Sequence, residues 1–278
     1  MNLRRQIFGR IIRSVPYGSS LLPGALLSRI IWRESRLRSA AVLAIFLLYG
    51  TDPCVRRMMR FVRTHRHTEF SGQMLQDLWV LSTLGGKPGF FVDVGAAYPR
   101  KYSNSWTLQE YFQWKGLLIE ANPQLAQDLR MSRSAPGVNV IEVAISTTTE
   151  QGVRLVDAGP MSSLLHTAHN DHLGKKRIEI AAHANPVFVN TSTLSAVLES
   201  CDSPRHIDFL SIDIEGADFE ALNSLDFSTF SVGMIAIEHN FNFQACDRFE
   251  KFLTDRGYVR VARRWSSIDA WFIHSSVK

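Results

Sequence analysis

The 278 residues, 45% of them hydrophobic, are enough for one large globular domain plus an extension, or for two modest domains, with a sizeable core. Cys54, Cys201 and Cys246 are far apart, odd in number and form no CxxC pair, which argues against a disulfide framework or a zinc ribbon and fits a reducing, cytoplasmic setting. The formal charge of +5 conceals an asymmetry: residues 1–68 hold 13 Arg, no Lys and two acids, Glu34 and Asp52, for +11, and the remainder carries −6.

In residues 1–68, arginines are set among Ile, Leu, Trp and Phe in "RRQIFGRIIR", "LLSRIIWRESRLR" and "VRRMMRFVRTHRH". This predicts a mainly helical, basic and amphipathic extension that either lies on an anionic membrane surface or packs against the acidic remainder. The apolar run 40–49 is about half the ~20 residues a spanning helix needs, so a packed or interfacial helix is expected there. Arg10 and Arg13 break any apolar stretch after "RRQIF", which argues against a cleaved export signal, although an arginine-rich, acid-poor start also resembles an organelle transit peptide.

From Glu69 the pattern changes to alternating strands and helices, the mark of an α/β domain with a mostly parallel sheet, so a boundary is placed at residues 68/69. A helix is predicted over 74–86, ending in two glycines, then a strand in "GFFVDVGA", a helix over about 104–113, a strand over 116–120 and a helix from Pro123. A third strand is read over 138–146. Residues 147–190 are less regular, with β-like runs "RIEIAA" and "VFVN", and form the expected insertion or lid. A helix over 191–200, a strand over 207–213, a helix from Ala217, a strand in "VGMIAIEHN", a helix in "CDRFEKFLTDRG" and β runs "YVRVARRW" and "IDAWFIH" complete the chain.

The first chemical signal is "FFVDVGAAYP", which sets Asp93 and Gly95 at the carboxyl end of the first strand, where open α/β sheets bind ligands. A dinucleotide fingerprint is missing, because Ala97 and Arg100 stand where its later glycines belong. The second strand ends in Glu120, 25 residues after Gly95, a spacing typical of the acid that accepts ribose hydroxyls. An adenosine cofactor without a pyrophosphate is S-adenosylmethionine.

From Ser71 onward the chain resembles the FkbM family of S-adenosylmethionine-dependent methyltransferases. The resemblance rests on "SGQMLQDLWVL", "GFFVDVGA", "YSNSWTLQEYFQWKGLLIEANP", "VNTSTLSAVLE", "IDFLSIDIEGADFEALNSLDF" and "MIAIEHN", in that order. It implies a class I, Rossmann-like methyltransferase fold over residues 69–278, with a seven-stranded, mostly parallel sheet flanked by helices and a final antiparallel pair. It also implies that Asp93, Gly95 and Ala96 line the methionine end of the cofactor, that Glu120 holds the ribose, that Ala144 and its neighbours lie by the adenine, and that Asn104 sits at the pocket mouth. Ala97-Tyr98-Pro99 and Ser105 depart from the family, which usually has small polar residues with a further glycine, and threonine.

"SIDIEG" places Asp213 and Glu215 two residues apart at the end of an apolar run, on one side of an extended chain. Either is a candidate general base for methylating a hydroxyl, and His239, beside Glu238 in "AIEHN", is another. Together with Glu238 the two acids also form a candidate set for a hard divalent cation, which is not favoured because a magnesium site needs few protein carboxylates. Glu215 has a second reading as an acid at a helix N-terminus. His166, His169 and His172 of "HTAHNDH" drift off a single helical stripe and make a poor metal set.

The expected function is O-methylation of a hydroxyl on a sugar, glycan or related natural product, the substrate class being implied by the resemblance. The alternative is a non-catalytic protein of the same fold, recruited to a membrane or acidic partner by its basic segment. A nucleic-acid partner is disfavoured by the acidic charge of residues 69–278. A cytoplasmic, membrane-peripheral location follows.

Overall fold

In the computed structural model, which describes residues 45–170, 174–183 and 185–277, the elements begin with α1 (Pro53–Thr64), α2 (Gln76–Leu84), β1 (Phe90–Val94), α3 (Trp106–Phe112), β2 (Lys115–Glu120), α4 (Pro123–Ser132) and β3 (Val138–Glu142). An insertion follows, made of β4 (Ala144–Ile145), β5 (Val153–Val156), β6 (Ser163–Leu164), α5 (Gly174–His183), β7 (Val187–Val189) and β8 (Thr191–Ser192). The chain then continues through α6 (Leu194–Ser200), β9 (His206–Ile212), α7 (Asp218–Asn223), β10 (Ser231–Glu238), α8 (Phe243–Thr254), β11 (Tyr258–Val261) and β12 (Asp269–His274). The amphipathic segments predicted before residue 45 lie outside the described residues.

Seven strands form one sheet in the order β3-β2-β1-β9-β10-β12-β11. All neighbours pair in parallel except β12, which runs antiparallel to both β10 and β11. This is the seven-stranded, mostly parallel sheet with a final antiparallel pair that was expected. Its central strands are buried over most of their length, and side chains alternate between two cores: Phe91, Phe209 and Met234 join one face, and Val92, Leu210 and Ile235 the other. Ile45, Val55, Met58 and Phe61 belong to the first core beside Trp79, so the described part of the N-terminal segment packs on that face.

Two details place the ligand-binding end. Asn122 caps α4 by accepting from the amides of Gln124 and Leu125, with Pro123 at the first helical position, so the chain turns sharply directly after Glu120. Directly after β1, Gly95 has φ +81°, and a Cβ there would stand 1.8 Å from the carbonyl oxygen of Asp213. The loops after β1 and β9 therefore touch backbone to backbone.

The structure departs from the sequence expectation in two places. The run 138–146 is not one strand: the amide of Val143 donates to the Glu120 carbonyl and that of Ala144 to the Asn190 carbonyl, so the chain leaves the main sheet and pairs with β8. "RIEIAA" is helical, within α5. Its alternation resembles a strand, yet Ile178 is exposed and has no sheet to face, and a Lys-, Arg-, Glu- and Ala-rich segment favours a helix. "VFV" is a strand, pairing with β5.

Candidate functional site

A cleft opens at the carboxyl ends of β1, β2 and β9, with about 490 Å³ of space including the solvent at its mouth. Gly95, Glu120, Asp213 and Ile214 come from the strand ends, Val143 to Ile145 form an apolar wall, and Pro160, Ser162, Ser163 and Leu164 of the insertion close the other side. Glu120 is fixed by two backbone donors: Oε2 accepts from the Ala97 amide at 2.9 Å and Oε1 from the Asn122 amide at 2.8 Å. Burial pushes its carboxyl above the usual range, and these donors oppose the shift. Each oxygen keeps a second lone pair for a ligand hydroxyl.

Of the other residues expected at the cofactor, Gly95 and Ala144 line the cleft, whereas Asp93, Ala96 and Asn104 are buried outside its lining. Asp93 accepts from the Ser105 hydroxyl at 2.6 Å and lies in the field of Arg133. Arg133, held by burial to about 10, stays cationic at neutral pH and also donates to the Pro99 carbonyl and to the Ser103 and Ser105 hydroxyls, fastening the 97–105 loop. Asn104 donates to Ser211 at 2.9 Å, and among the described residues its buried Oδ1 has no hydrogen-bond partner.

Behind Asp213, which lines the cleft, are Glu215 and Glu238, and oxygens of the three lie within 4.8 Å of one another. Asp213 and Glu215 do not meet by strand alternation. Glu215 has φ +57° and Gly216 φ +101°, and Asp218 braces this turn by accepting from the amides of Ile214 and Gly216. Burial, then carboxylate repulsion, pushes both Asp213 and Glu238 well above the ordinary range. A hydrogen bond links the two, and Asp213 is partly open to the cleft. His239 is held down to about 4, chiefly by burial, and is a weak base at neutral pH.

Arg177 of α5, 1% exposed, joins this group through an ion pair with the Glu215 carboxylate. Its Nε donates to the Met161 carbonyl at 2.9 Å, while the Ser163 hydroxyl donates to the Glu215 carbonyl at 2.9 Å and Asn170 to that of Gly216 at 3.0 Å. The insertion is thus pinned to the acidic turn, with a cation where a metal ion would compete for Glu215. The trio has the oxygen chemistry for a hard cation, but Arg177 already supplies a positive charge there. Arg177→Met is expected to destabilise the fold by about 3 kcal/mol, because it leaves a buried carboxylate without its guanidinium. Adding Glu215→Gln should recover part of the loss in a denaturant titration; a single variant as stable as the wild type would show that the pair contributes nothing.

Sequence reading did not single out Arg177, Asp269 or Gln76. Asp269 begins β12 opposite Glu238, accepts from Gln76 and Trp271, and is raised by burial to about 6. His166 and His169 are exposed, with His166 Nε2 3.6 Å from Glu220 Oε2, and His172 lies outside the described residues. Among the described residues no helix is long and apolar enough to cross a membrane.

The model of the methyltransferase FkbM domain matches residues 93–260. Among solved structures, the chain is similar to methyltransferase FkbM from Methylobacillus flagellatus KT, at 14% identity and TM-score 0.43 over 81% of this chain and 60% of that one. It thus spans about three-fifths of that protein's length. A putative RNA methyltransferase from Pyrococcus horikoshii is similar at 11% identity and TM-score 0.38, over 72% of this chain and 82% of that one. A mutant of MtNAS in complex with S-adenosylmethionine is similar at 8% identity and TM-score 0.28, over 91% of this chain and 72% of that one. No curated protein matches the sequence.

Proposed function

The chain belongs to the FkbM methyltransferase family, and from that membership we propose that it transfers a methyl group from S-adenosylmethionine to a hydroxyl of a sugar, glycan or related natural product. The observation that carries this reading is the sharing of one cleft by Glu120 and Asp213, a hydroxyl-accepting acid on one side and a candidate base on the other. S-adenosylmethionine would supply an electrophilic methyl group carried on a sulfonium.

The residues present suit that cofactor. Glu120 is pre-oriented with spare lone pairs for two ribose hydroxyls. Val143, Ala144 and Ile145 form an apolar wall of the kind a nucleobase packs against. Gly95 lines the same cleft, and its missing side chain lets the loops after β1 and β9 meet there.

Asp213 then takes the proton from the acceptor hydroxyl. Its pKa, raised by burial and by the neighbouring carboxylates Glu215 and Asp218, makes it a better base than an ordinary carboxylate. Arg177 holds Glu215 and the insertion in place, which narrows the cleft and limits water.

The test is incubation with methyl-labelled S-adenosylmethionine and a panel of free sugars, glycosides and glycolipids. The expected product is an alkali-stable methyl ether. Label found only in an alkali-labile ester or on nitrogen contradicts hydroxyl chemistry, and a chain that binds no cofactor supports the non-catalytic alternative.

A further inference from the structure

α1 has two unlike faces. Cys54, Val55, Met58 and Phe61 are buried against the core, whereas Arg56, Arg60 and Arg63 are exposed on the other side and Arg66 follows just beyond the helix. Arg60 and Arg66 donate through Nε to the carbonyls of Arg56 and Arg63, contacts that leave their charges uncompensated. Among the described residues none of these four arginines takes part in an ion pair. Asp52, the only acid within residues 45–68, is engaged in capping α1. Like charges three and four residues apart weaken a helix, so this stripe costs stability unless an anionic partner offsets it.

Arg56, Arg60 and Arg63 line a shallow groove with Met59 and Gly50. One turn before Gly50 the chain is again two-faced: Ile45 is 1% exposed, while Leu47 is 66% and Leu48 48% exposed. A basic groove alone suits any polyanion. Two exposed leucines beside it favour a partner with an apolar layer directly beneath its anionic surface, which a lipid bilayer has and a nucleic acid lacks. The sequence has a matching asymmetry: residues 45–68 hold five arginines and one acid, for +4, against −6 over residues 69–278, so an anionic surface attracts this segment and repels the remainder.

We propose that the outer face of α1, with Leu47 and Leu48, docks the protein on an anionic membrane, the arginines facing lipid phosphates and the leucines entering the acyl boundary. The assignment is independent of the methyl-transfer reading, since none of these residues lines the cleft.

The test uses the full chain in co-sedimentation with phosphatidylcholine vesicles with and without phosphatidylglycerol. Binding is expected only to the anionic vesicles and to fall as salt is added. The triple variant Arg56→Gln, Arg60→Gln, Arg63→Gln should partition about 100-fold more weakly, each arginine near such a surface being worth roughly a factor of five. Leu47→Ser with Leu48→Ser should weaken binding while leaving its salt dependence in place. Melting of the arginine variant at or above the wild-type temperature, and unchanged melting of the leucine variant, keep the result about docking and not folding. No vesicle binding, equal binding to neutral vesicles, or a triple variant that sediments like the wild type overturns the proposal. So does a triple variant that loses duplex DNA binding but keeps vesicle binding.

Discussion

Asp213→Asn is expected to lower methyl transfer by about 10²–10⁴-fold, the usual worth of a positioned general base, with the affinity for S-adenosylhomocysteine unchanged. The substitution keeps the shape of the side chain and removes its basicity, so binding and proton removal separate. The wild-type rate should rise with pH along a limb set by Asp213. The base acts when ionised, and burial with the neighbouring acids raises its pKa, so this limb lies above the ordinary carboxylate value of about 4. Initial rates measured from acid to neutral pH test both statements. Full activity in Asp213→Asn would remove Asp213 from the chemistry, and a limb at the ordinary carboxylate position would contradict its environment.

Gly95→Ala is expected to destabilise the fold by about 4 kcal/mol or more, in the class of exceptional single substitutions. The added Cβ would meet the Asp213 carbonyl oxygen at 1.8 Å and its carbon at 2.8 Å, both backbone atoms, and the φ of +81° disfavours any side chain. The loops after β1 and β9 must part to admit it. They can do so only by breaking the contacts of Gly95 with Ile119 and of Asp213 with Val94 at the head of the sheet. For a chain of this size a loss of that magnitude lowers Tm by roughly 10 °C. A thermal melt within a degree or two of the wild type would mean that the close approach is not as described.

Where the fold was legible, local pattern and tertiary demand agreed. The apolar runs ending in Asp93, Glu120, Asp213 and Glu238 read as buried parallel strands, and those strands form the centre of the sheet with their acids at one end. The misread segments are those whose partners are distant. The 138–146 run alternates well enough for one strand, and only Asn190 and Ser192, roughly 45 residues away, draw its end off the sheet. "RIEIAA" matches a two-residue period by chance of composition, and its one buried charge, Arg177, has no local mark among the neighbouring Lys175 and Lys176.

The acidic corner shows the same limit. Asp213 and Glu215 stood out because charges rarely close an apolar run, but Asp269 starts a strand and reads as an ordinary polar boundary until β12 is seen pairing with β10. The helix-end reading of Glu215 did not anticipate Arg177, whereas Asp218, three residues on, braces the turn. A turn that puts a non-glycine residue at positive φ is invisible to periodicity, and here it is what brings the two acids together.

The central claim, an adenosyl cofactor held by Glu120 in the cleft between β1, β2 and β9, is tested most directly by isothermal titration calorimetry with S-adenosylhomocysteine on the wild type and on Glu120→Ala. The account predicts saturable one-to-one binding by the wild type and a loss of roughly 100-fold in the variant, the worth of two hydrogen bonds to a charged group. No binding by the wild type, or equal binding by Glu120→Ala, would contradict it.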